Sequence, residues 1–275
     1  MTCLKSLATV LCALLLSACA GGPPPMQPPQ PRPVGLVPHV LSRSAQVDQT
    51  SHVSGHLDDD RRIVYFQTEG GGGVGLGLLL GPLGVMANVS LIEARTKADI
   101  DQMRGKLGID VKSAFVQAAA NAGFALGDSA NASQPRITPY LHVRKLEGDT
   151  LRVSAAILVE QGEGAQKWTG RYVFELPGLH SLAALSSTDT QRATGMATAV
   201  GEGYVRLLRR LVAESPQQLA KERLIDFKVG WQPPAYGFER QGMLVAEEQD
   251  VVWIRLPEGI HALRRETVKY TLRPT

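Results

Sequence analysis

Hydrophobic positions along this chain alternate between two spacings. From about Ala98 to Ala122, Ile100, Met103, Leu107, Val111, Phe115 and Ala118 recur every three or four residues, as on one face of an α-helix, and Gly123 is placed to end it. Three strand-like runs follow, Ile137 to Lys145, Leu151 to Gln161 and Trp168 to Leu176, divided by turn residues at Glu147, Gly148 and Asp149 and at Gly162, Glu163 and Gly164. In the middle run Leu151, Val153, Ala155, Ile157 and Val159 alternate with Arg152, Ser154, Ala156 and Leu158, which predicts an antiparallel meander with one apolar face and one mixed face. A second helical stripe, Met196, Val200, Tyr204, Leu207, Leu208 and Leu211, runs through Thr190 to Ala213 with Arg206, Arg209 and Arg210 off it, and predicts a long helix lying across the meander. Pro216 interrupts that pattern, and a further helical turn or two is expected from Gln217 to Arg223.

The flanks complete the outline. Residues 39 to 62 are polar and read as irregular, after which Ile63, Val64, Tyr65 and Phe66 form a first strand. After Ile225 the pattern breaks into short strands: Asp226 to Trp231, Gly242 to Glu247, Val251 to Leu256 and Thr267 to Leu272. These either form a small module or extend the main sheet. The expectation is an α+β fold with helices packed on one face of a mainly antiparallel sheet, in the order strand, helix, three-stranded meander, helix, with additional C-terminal strands. The implied division is a signal peptide over 1–18, a tether over 19–62, an α/β domain over 63–224 carrying a glycine-rich insertion at 70–92, and a C-terminal β module over 225–275.

The first residues add an address. Lys5 precedes an apolar run from Leu7 to Leu16 that closes on Ser17 and Ala18, a secretory layout too short to span a bilayer, which takes about 20 residues. Leu16, Ser17, Ala18 and Cys19 resemble the lipobox of bacterial lipoproteins. That resemblance implies diacylglycerol on the Cys19 thiol, cleavage before it and N-acylation, including palmitate, so the mature chain is held in a membrane by its acyl chains. Ala20 stands where an aspartate typically signals inner-membrane retention, so the resemblance implies the periplasmic face of the outer membrane. Cys3 and Cys12 leave with the signal and Cys19 is acylated, which accounts for all three cysteines and excludes disulfides, thiolate nucleophiles and cysteine metal sites. Eight of the seventeen prolines lie between residues 20 and 38, an extended tether of about 3.1 Å per residue. With a net charge of +3 and interspersed signs, the chain shows no nucleic-acid stripe.

Candidate chemistry is sparse. Gly70, Gly72 and Gly75 follow a strand in a Gly-x-Gly-x-x-Gly pattern, but Pro82 and further glycines follow where a dinucleotide site needs a helix and a parallel strand, and no cofactor is expected. Gly73, Gly77, Gly81 and Gly84 instead suggest close backbone approach: the segment reads either as a loop packed on the protein's own surface or as one whose Val74, Leu76, Leu78, Leu79, Leu80, Leu83 and Val85 contact membrane or another copy in a homo-oligomer. His52 and His56 precede three aspartates and read more readily as a solvated surface than as a metal site; His39, His142, His180 and His261 have no mutually suggestive spacing. No nucleophile elbow, Ser-x-x-Lys or His-Glu-x-x-His motif occurs, and the carboxylate pairs Glu247 with Glu248 and Glu160 with Glu163 fall at strand ends or turns. Trp231, Tyr236 and Phe238 flank Pro233 and Pro234 in a loop whose rings either cover the junction with the last strands or offer a candidate partner contact.

Over Ile63 to Ala213 the element order, with a helix ending in Ala122, Gly123 and Phe124 before the meander, resembles the α/β domain of the curli-secretion channel lipoprotein, the Tol-propeller amino-terminal domain and the cell-wall synthase activator lipoproteins. The resemblance implies a non-enzymatic scaffold, activator or assembly factor working through contacts with an envelope protein or peptidoglycan. The alternatives are an oligomeric secretion accessory whose glycine-rich loop meets the membrane, and a peptidoglycan hydrolase whose acids meet only in space. The insertion at 70–92 and the strands after Ile225 have no place in those families.

Overall fold

A computed structural model describes residues 38–43, 47, 53–67, 89–127, 134–146, 148–163, 167–230 and 239–273. Its centre is the meander: β5 (Arg136–Lys145), β6 (Thr150–Gln161) and β7 (Trp168–Glu175) pair antiparallel, with Leu141 opposite Ala155 and Ala155 opposite Phe174. Strand β3 (Ile63–Gln67) lies parallel along the outer edge of β5, and β1 (His39–Leu41) pairs with the start of that same edge. β2 (Ser54–His56) runs antiparallel to β3, β4 (Leu126–Gly127) continues beyond β1, and β8 (His180–Ser181) pairs with the start of β6. The fold thus takes in residues before Ile63, in the stretch expected to be irregular. His39 and Leu57 are buried there, but such three-residue strands are too short for periodicity to register.

The C-terminal strands join the same sheet. β12 (Gly259–Arg264) runs parallel to β7, and β11 (Val251–Leu256), β10 (Arg240–Glu247), β9 (Arg223–Val229) and β13 (Val268–Leu272) follow antiparallel, giving a thirteen-stranded, mainly antiparallel, open sheet. β12 is a strand the sequence pattern did not set apart. Its His261 and Arg264 break the apolar run, and its two faces meet different surroundings.

Helices cover one face. α1 is helical over residues 89–103, and α2 (Val111–Ala122) follows a break. The single helix expected from Ala98 to Ala122 is therefore two. Gly105 and Gly108 adopt left-handed φ of 69° and 66°, and Asp110 caps α2 by accepting from the Ser113 amide. The periodicity ran through the break because Ile100, Met103, Leu107, Val111 and Phe115 all reach the same core. A short helix α3 (Leu182–Leu185) leads to α4 (Thr190–Ala213), capped by Asp189, and α5 (Pro216–Leu219) is a single turn with Pro216 in its first turn.

The stripe of α4 is buried against β6 and β7, with Tyr204 and Leu208 fully enclosed. Gly203 brings helix and sheet together: a Cβ there would lie 3.1 Å from the Ala155 Cβ. The Tyr204 hydroxyl donates to the Tyr140 carbonyl at 2.9 Å, and its ring meets Phe115 edge-on at 5.4 Å. Off the stripe, Arg206 ties α4 to the C-terminal strands, donating to Asp250 Oδ2 at 2.6 Å and to Glu248 while covering the Phe174 ring at 4.7 Å. Among the described residues no helix is long and apolar enough to cross a membrane.

Candidate functional site

The pleat that points Leu141, Val143, Val153 and Ala155 at the helices sends Tyr140, His142, Arg144, Arg152 and Ser154 to the opposite face. There the sheet curls around a cavity of about 670 Å³. Its near wall is Val64 and Phe66 of β3, its base comes from β5, β6 and β7, and its far wall is Phe227 and Val229 of β9 with Arg240, Leu256, Glu258, His261 and Leu263. A ligand pocket is usually about 300–1,000 Å³.

Two apolar clusters meet at this cavity without merging. One contains Val47, Tyr140, Ala156, Leu158 and Val173; the other contains Ile225, Phe227, Val229, Leu256 and Leu263. Between them stand charged side chains. Among the described residues the lining holds four arginines, Arg144, Arg152, Arg171 and Arg240, against two glutamates, Glu175 and Glu258. Arg152 Nη1 donates to Glu175 Oε2 at 2.9 Å with both side chains only 5% exposed, and Glu175 also accepts from the Arg264 amide at 3.3 Å. Burial pushes the Glu175 carboxyl up, and Arg152 opposes it. Arg240 Nη2 donates to Glu258 Oε1 at 2.6 Å. Burial acts to raise the Glu258 pKa, but its bond to Arg240 carries the carboxyl below its usual range.

Arg171 differs. Among the described residues it has no carboxylate within ion-pair distance, and its buried Nε has no acceptor. Its backbone is closely approached by Gly259 of β12: a Cβ at Gly259 would fall 2.4 Å from the Arg171 carbonyl oxygen. Arg144, Arg171 and Arg240 all act electrostatically on His261, whose pKa is lowered to about 4 by burial, with Glu258 opposing. His142 is likewise lowered to about 4 by burial, then by Arg144, Arg171 and His261. Both imidazoles are therefore neutral near pH 7, and His261 Nε2 is buried without a partner. Burial also pushes the Arg144 pKa down, with Glu175 and Glu258 acting upward and Arg240 and Arg152 acting downward. Cations from β5, β7 and β10 are thus crowded together, and an anion placed among them relieves that repulsion.

The sequence-derived candidates are not brought to this cavity. Cys19, the glycine-rich contacts Val74, Leu76, Leu78, Leu79, Leu80, Leu83 and Val85, the loop residues Trp231, Tyr236 and Phe238, and His52 lie outside the described residues. The bases of the glycine-rich segment are tied together: Gln67 Nε2 at the end of β3 donates to the Ile92 carbonyl at 3.1 Å. Beside them the Tyr65 hydroxyl and Lys145 Nζ both donate to Asp99 Oδ2, at 2.5 and 2.6 Å, which pins α1 to the sheet. His56 is buried in β2, and no group of three metal-ligating side chains occurs among the described residues. Three of these carboxylates are engaged structurally, Glu160 by Lys167 at 2.5 Å, Glu247 by Arg265 at 3.2 Å and Glu248 by the Trp253 indole at 2.7 Å, while Glu163 is exposed. Sequence reasoning missed His142 and His261, which come from strands more than a hundred residues apart and share one cavity. The available signal was Arg152 and Ser154 on the mixed face of an otherwise buried strand.

Comparison of the chain with protein-family models, with characterised proteins and with solved structures finds no match.

Proposed function

We propose that this chain is a lipid-anchored protein of the outer membrane's periplasmic face that acts by binding and not by catalysis, with the cavity as a receptor for a negatively charged group of another envelope component. The observation that carries the reading is the excess of arginines over carboxylates among the described residues of the lining, with Arg171 unmatched by a carboxylate among them. The other ionisable groups suit a receptor better than a proton-transfer site. Histidines with pKa near 4 are weak bases at neutral pH, Glu175 is held by Arg152, and arginine stays charged. The lipobox-like start and proline-rich tether support a place at a membrane surface, where such a receptor serves as scaffold, activator or assembly factor.

Two measurements test this. Labelled palmitate should enter the full chain in cells and be lost in Cys19→Ser; equal labelling of the variant removes the anchor. In thermal unfolding, small carboxylates and phosphates should stabilise the protein while matched amines do not, and Arg171→Glu with Arg240→Glu should abolish the effect. Stabilisation by amines and anions alike, or by neither, overturns the receptor.

A further inference from the structure

We infer that the ligand of this cavity is an anionic amphiphile, a molecule carrying a carboxylate or phosphate head on a hydrocarbon body. The inference rests on the receptor reading and adds the chemistry of the rest of the ligand. The head is received by Arg171, Arg144 and Arg240, with the neutral imidazole of His261 as a further donor. Arg guanidinium groups match the planar carboxylate and the phosphate equally well, so both heads share one chemistry.

The hydrocarbon part follows from what stands beside those arginines. A site for a free small anion needs donors all round, whereas here the same cavity is walled by Val64 and Phe66 on one side and by Phe227, Leu256 and Leu263 on the other. Val64 packs against one apolar cluster and Phe227, Leu256 and Leu263 belong to another, so a hydrocarbon chain lying between them would join the two. The volume of about 670 Å³ suits a molecule that is mostly enclosed, not a polypeptide that must enter and leave. A fatty acid and a phospholipid-type phosphate are the two sources of such a head.

The test uses the full chain carrying Cys19→Ser, which needs no detergent to compete for the cavity, and titration calorimetry with named probes. Dodecanoate and dodecyl phosphate present the two heads on one chain; acetate and inorganic phosphate present the heads alone; monolaurin presents a neutral chain. The chain-bearing anions should bind one to one, at least thirtyfold more tightly than the bare heads and than monolaurin. Arg171→Ala should weaken them at least tenfold, and Arg240→Ala, at a position where both partners of the ion pair are 40% exposed, provides the same readout if the first variant unfolds. Preference for dodecanoate assigns a free fatty acid, and preference for dodecyl phosphate assigns a phosphate-headed lipid; either supports the inference. Bare heads binding as tightly as the chain-bearing anions, with dependence on Arg171, would leave the receptor standing and overturn the amphiphile. Tight binding of a glutamate-rich peptide but not of dodecanoate would also overturn it in favour of a protein ligand. Monolaurin binding as well as dodecanoate, unchanged by either substitution, would overturn both readings.

Discussion

At the cavity, small and charged residues act through one another. Gly259 has φ of +143°, a conformation open to glycine, and any Cβ there collides with the Arg171 backbone. Gly259→Ala should therefore cost at least about 2 kcal/mol and shift Arg171, both measurable by urea unfolding and by anion affinity. Arg152 illustrates the opposite dependence. Its removal leaves the Glu175 carboxylate buried without its cation, so Arg152→Ala should destabilise by about 3–5 kcal/mol, whereas Arg152→Met with Glu175→Gln should recover most of the loss. An ion pair such as Lys228 with Glu239, exposed by 54% and 61%, should show no such penalty in the same denaturant assay.

Among the elements, α4 is held by its cap, its stripe and its close approach to the sheet. Asp189 accepts from the Gln191 amide at 2.9 Å, and Asp189→Ala should cost about 1 kcal/mol. Gly203→Val, by contrast, drives a branched side chain into Ala155, Leu176 and Phe174, and should cost about 1–3 kcal/mol in thermal or urea unfolding. This helix could be read from the sequence to its ends, because one uninterrupted stripe faces one surface. The three meander strands were equally legible, since long strands with an enclosed face carry their period openly. The division between α1 and α2 was hidden, because the core receives side chains from both sides of the break, which two glycines and the Asp110 cap mark only locally. The cavity was harder still. Its arginines and histidines sit singly on separate strands, and what gathers them is the pairing of β12 with β7, a contact that no local pattern encodes.

For the molecule as a whole, the two buried histidines make stability depend on pH. In the unfolded chain a histidine titrates near 6.5, but His142 and His261 hold out to about 4 in the fold. Between those values the unfolded state binds protons that the folded state refuses, so stability is greatest above pH 6.5 and falls as pH drops towards 4. Asp250, lowered to about 2 chiefly by its hydrogen bond to Arg206, adds a second, smaller decline as pH falls from the ordinary aspartate range towards 2. Thermal unfolding midpoints should trace both stages, and His142→Gln with His261→Gln should flatten the first. A midpoint independent of pH between 4.5 and 6.5 in the parent chain would contradict the buried neutral imidazoles.

The junction of β12 with β7 places Tyr172 beside Ile260, so the chamber's second side is supplied by the closing fifth of the polypeptide. A chain emerging from its amino end can lay down the meander and seat α4 well before that side arrives. Until then Arg171 looks onto open solvent, and uptake of any guest waits on the last strands. Loss of the strands from β9 onward would thus leave a helix-backed sheet with nothing to enclose.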